Sequence, residues 1–115
     1  RLQRAGVVVV FSMTGLAPHF AHKVRQSAGN AVAHGMPWDA ALAGLTANPA
    51  AVFGLGASRG RIETGMVADL VLWNGDPLEV TSAADQVWVG GKPMSMRSRQ
   101  TELLDRYLPQ AAWQP

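Results

Sequence analysis

The sequence predicts an α/β chain: a β-α unit and linking helices first, a small antiparallel sheet after them, and a helix at the C-terminal end. Three observations carry that prediction. Gly6–Ser12 (GVVVVFS) is a β-branched run, and helical spacing of apolar residues follows it. Gly60–Glu79 (GRIETGMVADLVLWNGDPLE) sets turn residues on both sides of a continuous apolar stretch. Gly90-Gly91 then separates two short β-forming segments, as in a hairpin.

Taken in chain order, Gly6–Ser12 reads as a strand buried on both faces, as in a parallel sheet. Met13–Pro18 is a loop. Phe20–His34 has Phe20, Val24, Ala28, Ala31 and Val32 at helical spacing, and Gly35 is the expected C-cap residue. Pro37 starts a second helix, where a missing N–H costs little, and Trp38–Leu45 continues it. Pro49 starts a third short helix that Gly54 and Gly56 stop. Gly60 and Gly65 bracket a polar turn, with a positive φ expected at Gly65. Ala68–Trp73 is the next strand, apolar enough to be covered on both faces. Asn74-Gly75 turns it and Asp76-Pro77 ends it. Gln86–Val89 and Lys92–Met94 form the hairpin, with Pro93 marking an edge. Ser98 is placed to cap a helix through Leu108 whose Leu103, Leu104, Tyr107 and Leu108 share a stripe. Gln110–Pro115 frays.

Composition narrows the function classes. The chain has 115 residues, 48% hydrophobic and 16% charged, so little charge is on hand to cover its outside. The net charge of +2 with scattered basic residues argues against nucleic acid. No cysteine is present, which excludes disulfides and thiolate metal sites. Val7–Phe11 is too short to span a membrane and lacks a leader-type cleavage site, so a soluble protein of unspecified compartment is expected.

The pattern NPAAVFGLG–ASRGRIETGMVADLVLWNGDPLE, followed by DQVWVGGKPM, resembles the C-terminal end of the amidohydrolase superfamily. The imidazolonepropionase-like and prolidase-like members are the nearest in likeness, over roughly residues 6–96. The resemblance implies the last β-α unit of a TIM-barrel-like domain (residues 1–56), part of a small accessory β-sandwich (57–96), and a C-terminal helix and tail (97–115). A barrel needs about 250 residues. The chain is therefore expected to be a C-terminal fragment of such an enzyme, and a first residue of Arg1 instead of Met fits that. The reaction implied is hydrolysis of C–N bonds in small amides or cyclic amides, with a zinc-type divalent metal in the full-length parent.

Barrel enzymes place reacting groups at the C-terminal ends of strands. The family ends its eighth strand in an aspartate that binds metal and moves a proton. Here Thr14 stands at that position, and no Asp or Glu precedes Asp39. A hydroxyl is neither a general base near neutral pH nor a good ligand for a divalent cation. Thr14 therefore contacts substrate or water, or bonds its own backbone in the turn. His19 lies in the same loop near a substrate-facing mouth. His19 and His22 are an i,i+3 pair, but they lack a third ligand, so no residue of this chain is assigned to metal or to catalysis. His34 has a structural role open to it beside the last carbonyls of its helix. Lys23 and Arg25 read as a solvated helix face. Asp69 reads as a carboxylate tying a turn together, and Trp38, Trp73 and Trp88 as packing residues.

On this reading the chain is inactive alone. The alternative is a non-enzymatic assembly or interaction module derived from the same fold. Apolar strands without neighbours are expected to pair with a second copy, giving a homodimer, and a small-molecule substrate enters only as part of a larger enzyme.

Overall fold

The computed structural model describes residues 1–12 and 23–108. A 3-10 turn at Gln3–Ala5 comes first, and three α-helices follow: α1 (Val24–Ala33), α2 (Trp38–Leu45) and α3 (Ala47–Val52). A three-stranded antiparallel sheet follows, β1 (Leu70–Trp73), β2 (Ala84–Val89) and β3 (Lys92–Pro93), in that spatial order. Helix α4 (Arg99–Tyr107) ends the described chain. Mixed helix and small antiparallel sheet is thus the architecture.

Local chemistry explains most boundaries. Gly35, at φ +100°, lets α1 close in a Schellman motif, with Met36 N–H on Ala31 O at 2.9 Å and Gly35 N–H on Val32 O at 3.0 Å. Helix α3 starts at Ala47, two residues before the expected start at Pro49. Pro49 still falls in the first turn, where its absent N–H leaves nothing unsatisfied. Ser98 caps α4, its hydroxyl accepting Thr101 N–H at 3.2 Å. Gly90 and Gly91 both take positive φ, +58° and +81°, the backbone a tight two-residue hairpin requires. The register sets Leu70 against Trp88 and Val71 against Val87, with a bulge between Leu72 and Trp73.

The core sits between the helices and the 76–82 loop. Ala28, Ala41 and Leu78 form it, with Phe11, Val32, Met36 and Leu45 packed against it. Small residues are required there. A Cβ on Gly29 would lie 2.4 Å from Leu78 O, and one on Gly44 would lie 2.8 Å from the Phe11 ring. Backbone and ring approach to a distance that any larger side chain would forbid.

Two strand expectations are corrected. Gly6–Ser12 joins no ladder among the described residues. Its extended residues lie along the helices instead: Phe11 N–H donates to Gly44 O at 3.1 Å, and Asn48 Nδ2 donates to Val9 O at 2.9 Å. Val8 is 66% exposed, so this run is not buried on both faces. Ala68–Trp73 is likewise shorter and less covered than expected. Only Leu70–Trp73 is strand, and Val71 and Leu72 are 44% and 54% exposed. In both cases the apolar sequence is present but the described elements cover only part of it. No described helix is long and apolar enough to cross a membrane.

Candidate functional site

Three polar arrangements tie the chain together around the sheet, two of them from the helices. The first is built on Arg25, in the first turn of α1. Its guanidinium donates to Pro77 O at 3.1 Å, Glu79 O at 2.6 Å and Ser82 O at 2.7 Å. The same group lies 4.9 Å above the Trp73 ring. Arg25 is therefore not part of a solvated face. The expectation failed because the loop that receives it lies more than fifty positions away in sequence. Only the planar fork of an arginine reaches three carbonyls while stacking on an aromatic face.

The second joins α2 to the same loop. Trp38 Nε1–H donates to both oxygens of Asp76, at 3.0 and 3.1 Å. Asp76 Oδ1 also accepts Leu78 N–H at 2.9 Å, closing an Asx turn. Asn74 Oδ1 accepts Ala83 N–H at 2.9 Å at the other end of the loop. The 74–83 connection is thus tied to itself and to both helices.

The third is the one anticipated for Asp69. Its Oδ1 accepts Gly90 N–H at 2.8 Å, and its Oδ2 pairs with Arg59. The Gly90 hydrogen bond holds the carboxyl below its ordinary pKa; partial burial opposes this and Arg59 adds to it. The carboxylate clamps the β2–β3 turn onto the segment entering β1.

Thr14 and His19, the residues singled out from sequence, lie outside the described residues, as does His22. His34 ends α1 with Nδ1–H on Asn30 O at 2.8 Å, the local role open to it. The described donors do not fit a divalent metal. Asp69 is taken by Gly90 and Arg59, Asp76 by Trp38 and Leu78, and the Nδ1 of His34 by its own helix. Among the described residues no three His, Cys, Asp or Glu side chains come together. One shallow groove of about 300 Å³ runs beside the extended N-terminal run, lined by Val7, Val8, Val9, Met36, Ala40 and Ala43, with Gly6 and the amide side chains of Gln3 and Asn48 also in its wall. Its lining is mostly apolar and offers contact surface instead of titratable groups.

A mixed helix-and-sheet unit held by three structural clasps is the class this geometry defines. The family model described as the amidohydrolase family matches residues 6–94, and the chain belongs to that family. Amidohydrolase tasK of Hapsidospora irregularis is 47% identical over 58 residues, 50% of this chain and 6% of that protein. The crystal structure of an amidohydrolase from Thermotoga maritima MSB8 is similar with a TM-score of 0.70 and 31% identity, over 84% of this chain and 25% of that one. The chain thus spans a quarter or less of each of these relatives.

Proposed function

We propose that the chain is the C-terminal portion of a metal-dependent amidohydrolase acting on C–N bonds of small amides or cyclic amides, and that it is inactive alone. The observation that carries this is the likeness over most of the chain to a structure of which it covers only 25%. On this reading residues 1–56 supply the last strand and helices of a TIM-barrel-like domain. Residues 57–96 supply part of the accessory sandwich, and 97–115 the C-terminal helix. The metal belongs to residues outside this chain, and Thr14 and His19 lie at the substrate-facing mouth as contacts to substrate or water. The clasps at Arg25 and Trp38 support the reading in one respect: they hold the 74–83 connection, in the proposed sandwich part, against the helices of the proposed barrel part.

A second reading, a non-enzymatic assembly module, is favoured by the apolar residues left uncovered at Val8, Val71 and Leu72. The test is an assay of the purified chain on simple amides, lactams and dipeptides with added zinc or manganese. No turnover is expected. Turnover together with a stoichiometric, tightly held divalent ion overturns the claim of inactivity. Restoration of lactam or amide hydrolysis on adding the preceding part of a full-length relative separates the enzyme reading from the module reading.

A further inference from the structure

The 74–83 connection opens with an asparagine followed by a glycine, and that pair carries chemistry beyond its turn. A backbone nitrogen can attack the side-chain carbonyl of an asparagine immediately before it, because the product is a five-membered ring. The side chain of the attacking residue hinders this approach, and glycine has none. The chain has three asparagines, and one of them meets the condition. Asn48 precedes Pro49, whose nitrogen has no proton to lose. Asn30 precedes Ala31 inside α1, where the following amide is committed to the helix ladder. Asn74 precedes Gly75 and is held in a defined way. Its N–H donates to Ala83 O at 3.0 Å, and its Oδ1 accepts Ala83 N–H at 2.9 Å. A donor on the carboxamide oxygen draws electrons from the carbonyl carbon and stabilises the oxyanion that forms there. Neither contact engages the Gly75 nitrogen, which attacks, or the carboxamide nitrogen, which leaves.

We infer that Asn74 is a self-modifying site, at which the Gly75 nitrogen closes on the asparagine side chain under the hydrogen bond from Ala83. The Gly75 nitrogen gives up its proton and forms a bond to Asn74 Cγ. The Cγ–Nδ2 bond breaks, and Nδ2 departs as ammonia with that proton. Water then opens the ring at either carbonyl. Opening at Cγ leaves an aspartate on an unchanged backbone. Opening at the main-chain carbonyl routes the backbone through the side chain and lengthens it by a methylene. The position gives this second product a consequence. The 74–83 connection receives Arg25 and Trp38 and carries Leu78 into the core. Asp76, which accepts Trp38 Nε1–H, lies just beyond the lengthened link. An added methylene moves Asp76 relative to β1, which its ladder with β2 keeps in place. The Trp38–Asp76 contact is then lost, whereas an aspartate at position 74 keeps an oxygen for Ala83 N–H. The inference uses only this loop and its bonds, so it stands apart from the hydrolase reading.

The experiment is incubation of the 115-residue chain in mildly alkaline buffer, folded and in urea, with peptide mass mapping over time. The folded wild type is expected to lose ammonia at Asn74 and not at Asn30 or Asn48, and to give both products. Gly75→Ala should slow the loss roughly fivefold or more, since a Cβ on the attacking residue restricts its approach. That Cβ would lie 2.9 Å from Ser82 Oγ, so Asn74→Asp is the second variant. It reproduces the aspartate product and releases no ammonia. Its Trp38 indole N–H should keep the chemical shift of fresh wild type, whereas the form with the lengthened backbone, separated by chromatography, should not. Conversion in urea but not in the folded chain, equal loss at Asn30, undiminished loss in a folded Gly75→Ala, or an unmoved Trp38 signal in the lengthened form overturns the proposal.

Discussion

Two glycines show how a backbone angle and its surroundings divide the cost of a side chain. Gly65 and Gly60 both take positive φ, +87° and +98°. Nothing lies within 4 Å of where a Gly65 Cβ would stand, so a substitution there meets strain alone. At Gly60 the added Cβ would be 2.7 Å from Ala50 Cβ and 3.0 Å from Thr46 O, against α3. Gly65→Ala should therefore cost about 1 kcal/mol and Gly60→Ala about 2 kcal/mol or more. Equal urea midpoints for the two variants would show that the 58–60 turn does not bear on α3. Asp69 supplies a pH prediction. Its pKa is lowered in the folded state, so its stabilisation is complete above the ordinary aspartate value of about 4. That stabilisation is lost as pH falls from there through the lowered value. Asp69→Asn should flatten the acid limb of thermal stability between pH 4 and pH 2 relative to wild type, as read by circular dichroism.

At the scale of elements, the 74–83 connection is the joint of the molecule. Arg25 of α1 and Trp38 of α2 both end on it, and Leu78 inserts from it into the core. Arg25→Lys keeps the charge but loses the fork and most of the stacking over Trp73. It should cost about 1–2 kcal/mol and change tryptophan fluorescence. Arg61→Lys is the comparison, because Arg61 pairs with exposed Glu63 and should stay within ~0.5 kcal/mol of wild type. A midpoint for Arg25→Lys indistinguishable from that of Arg61→Lys would mean that the carbonyl contacts do not hold the joint. Most elements were legible in sequence because their punctuation is local. Gly35, Ser98 and Gly90-Gly91 act within a few residues of the ends they set. The Arg25 clasp was not legible, since three carbonyls carry no side-chain signal and lie 52–57 residues away.

For the whole molecule the governing fact is that, among the described residues, the buried apolar core is two alanines and one leucine while many large apolar side chains stay exposed. Denaturant sensitivity scales with the surface that unfolding exposes. With so few buried apolar side chains among the described residues, the chain has less left to uncover than its length implies. As a monomer it should unfold in urea with a slope of about 1 kcal/mol/M, at the low end for small proteins. A slope of about 2 kcal/mol/M or more would show that the chain closes a larger core than the described residues form.

The sequence by itself determined the order of elements from α1 onward, the main capping and turn positions, the role of Asp69 and the family. These rest on short-range signals and on a pattern that runs through most of the chain. It also determined that Gly6–Ser12 and Ala68–Trp73 are apolar. It did not determine what covers them, and the reading that both are buried on two faces is where it failed. Hydrophobicity states a need for a neighbour, whereas burial requires that a neighbour exist. Only the tertiary structure decided that residues 7–12 lie along the helices outside any described ladder, and that Arg25 grips a distant loop. Each of these depends on which residues meet across long stretches of chain, and no local spacing encodes that.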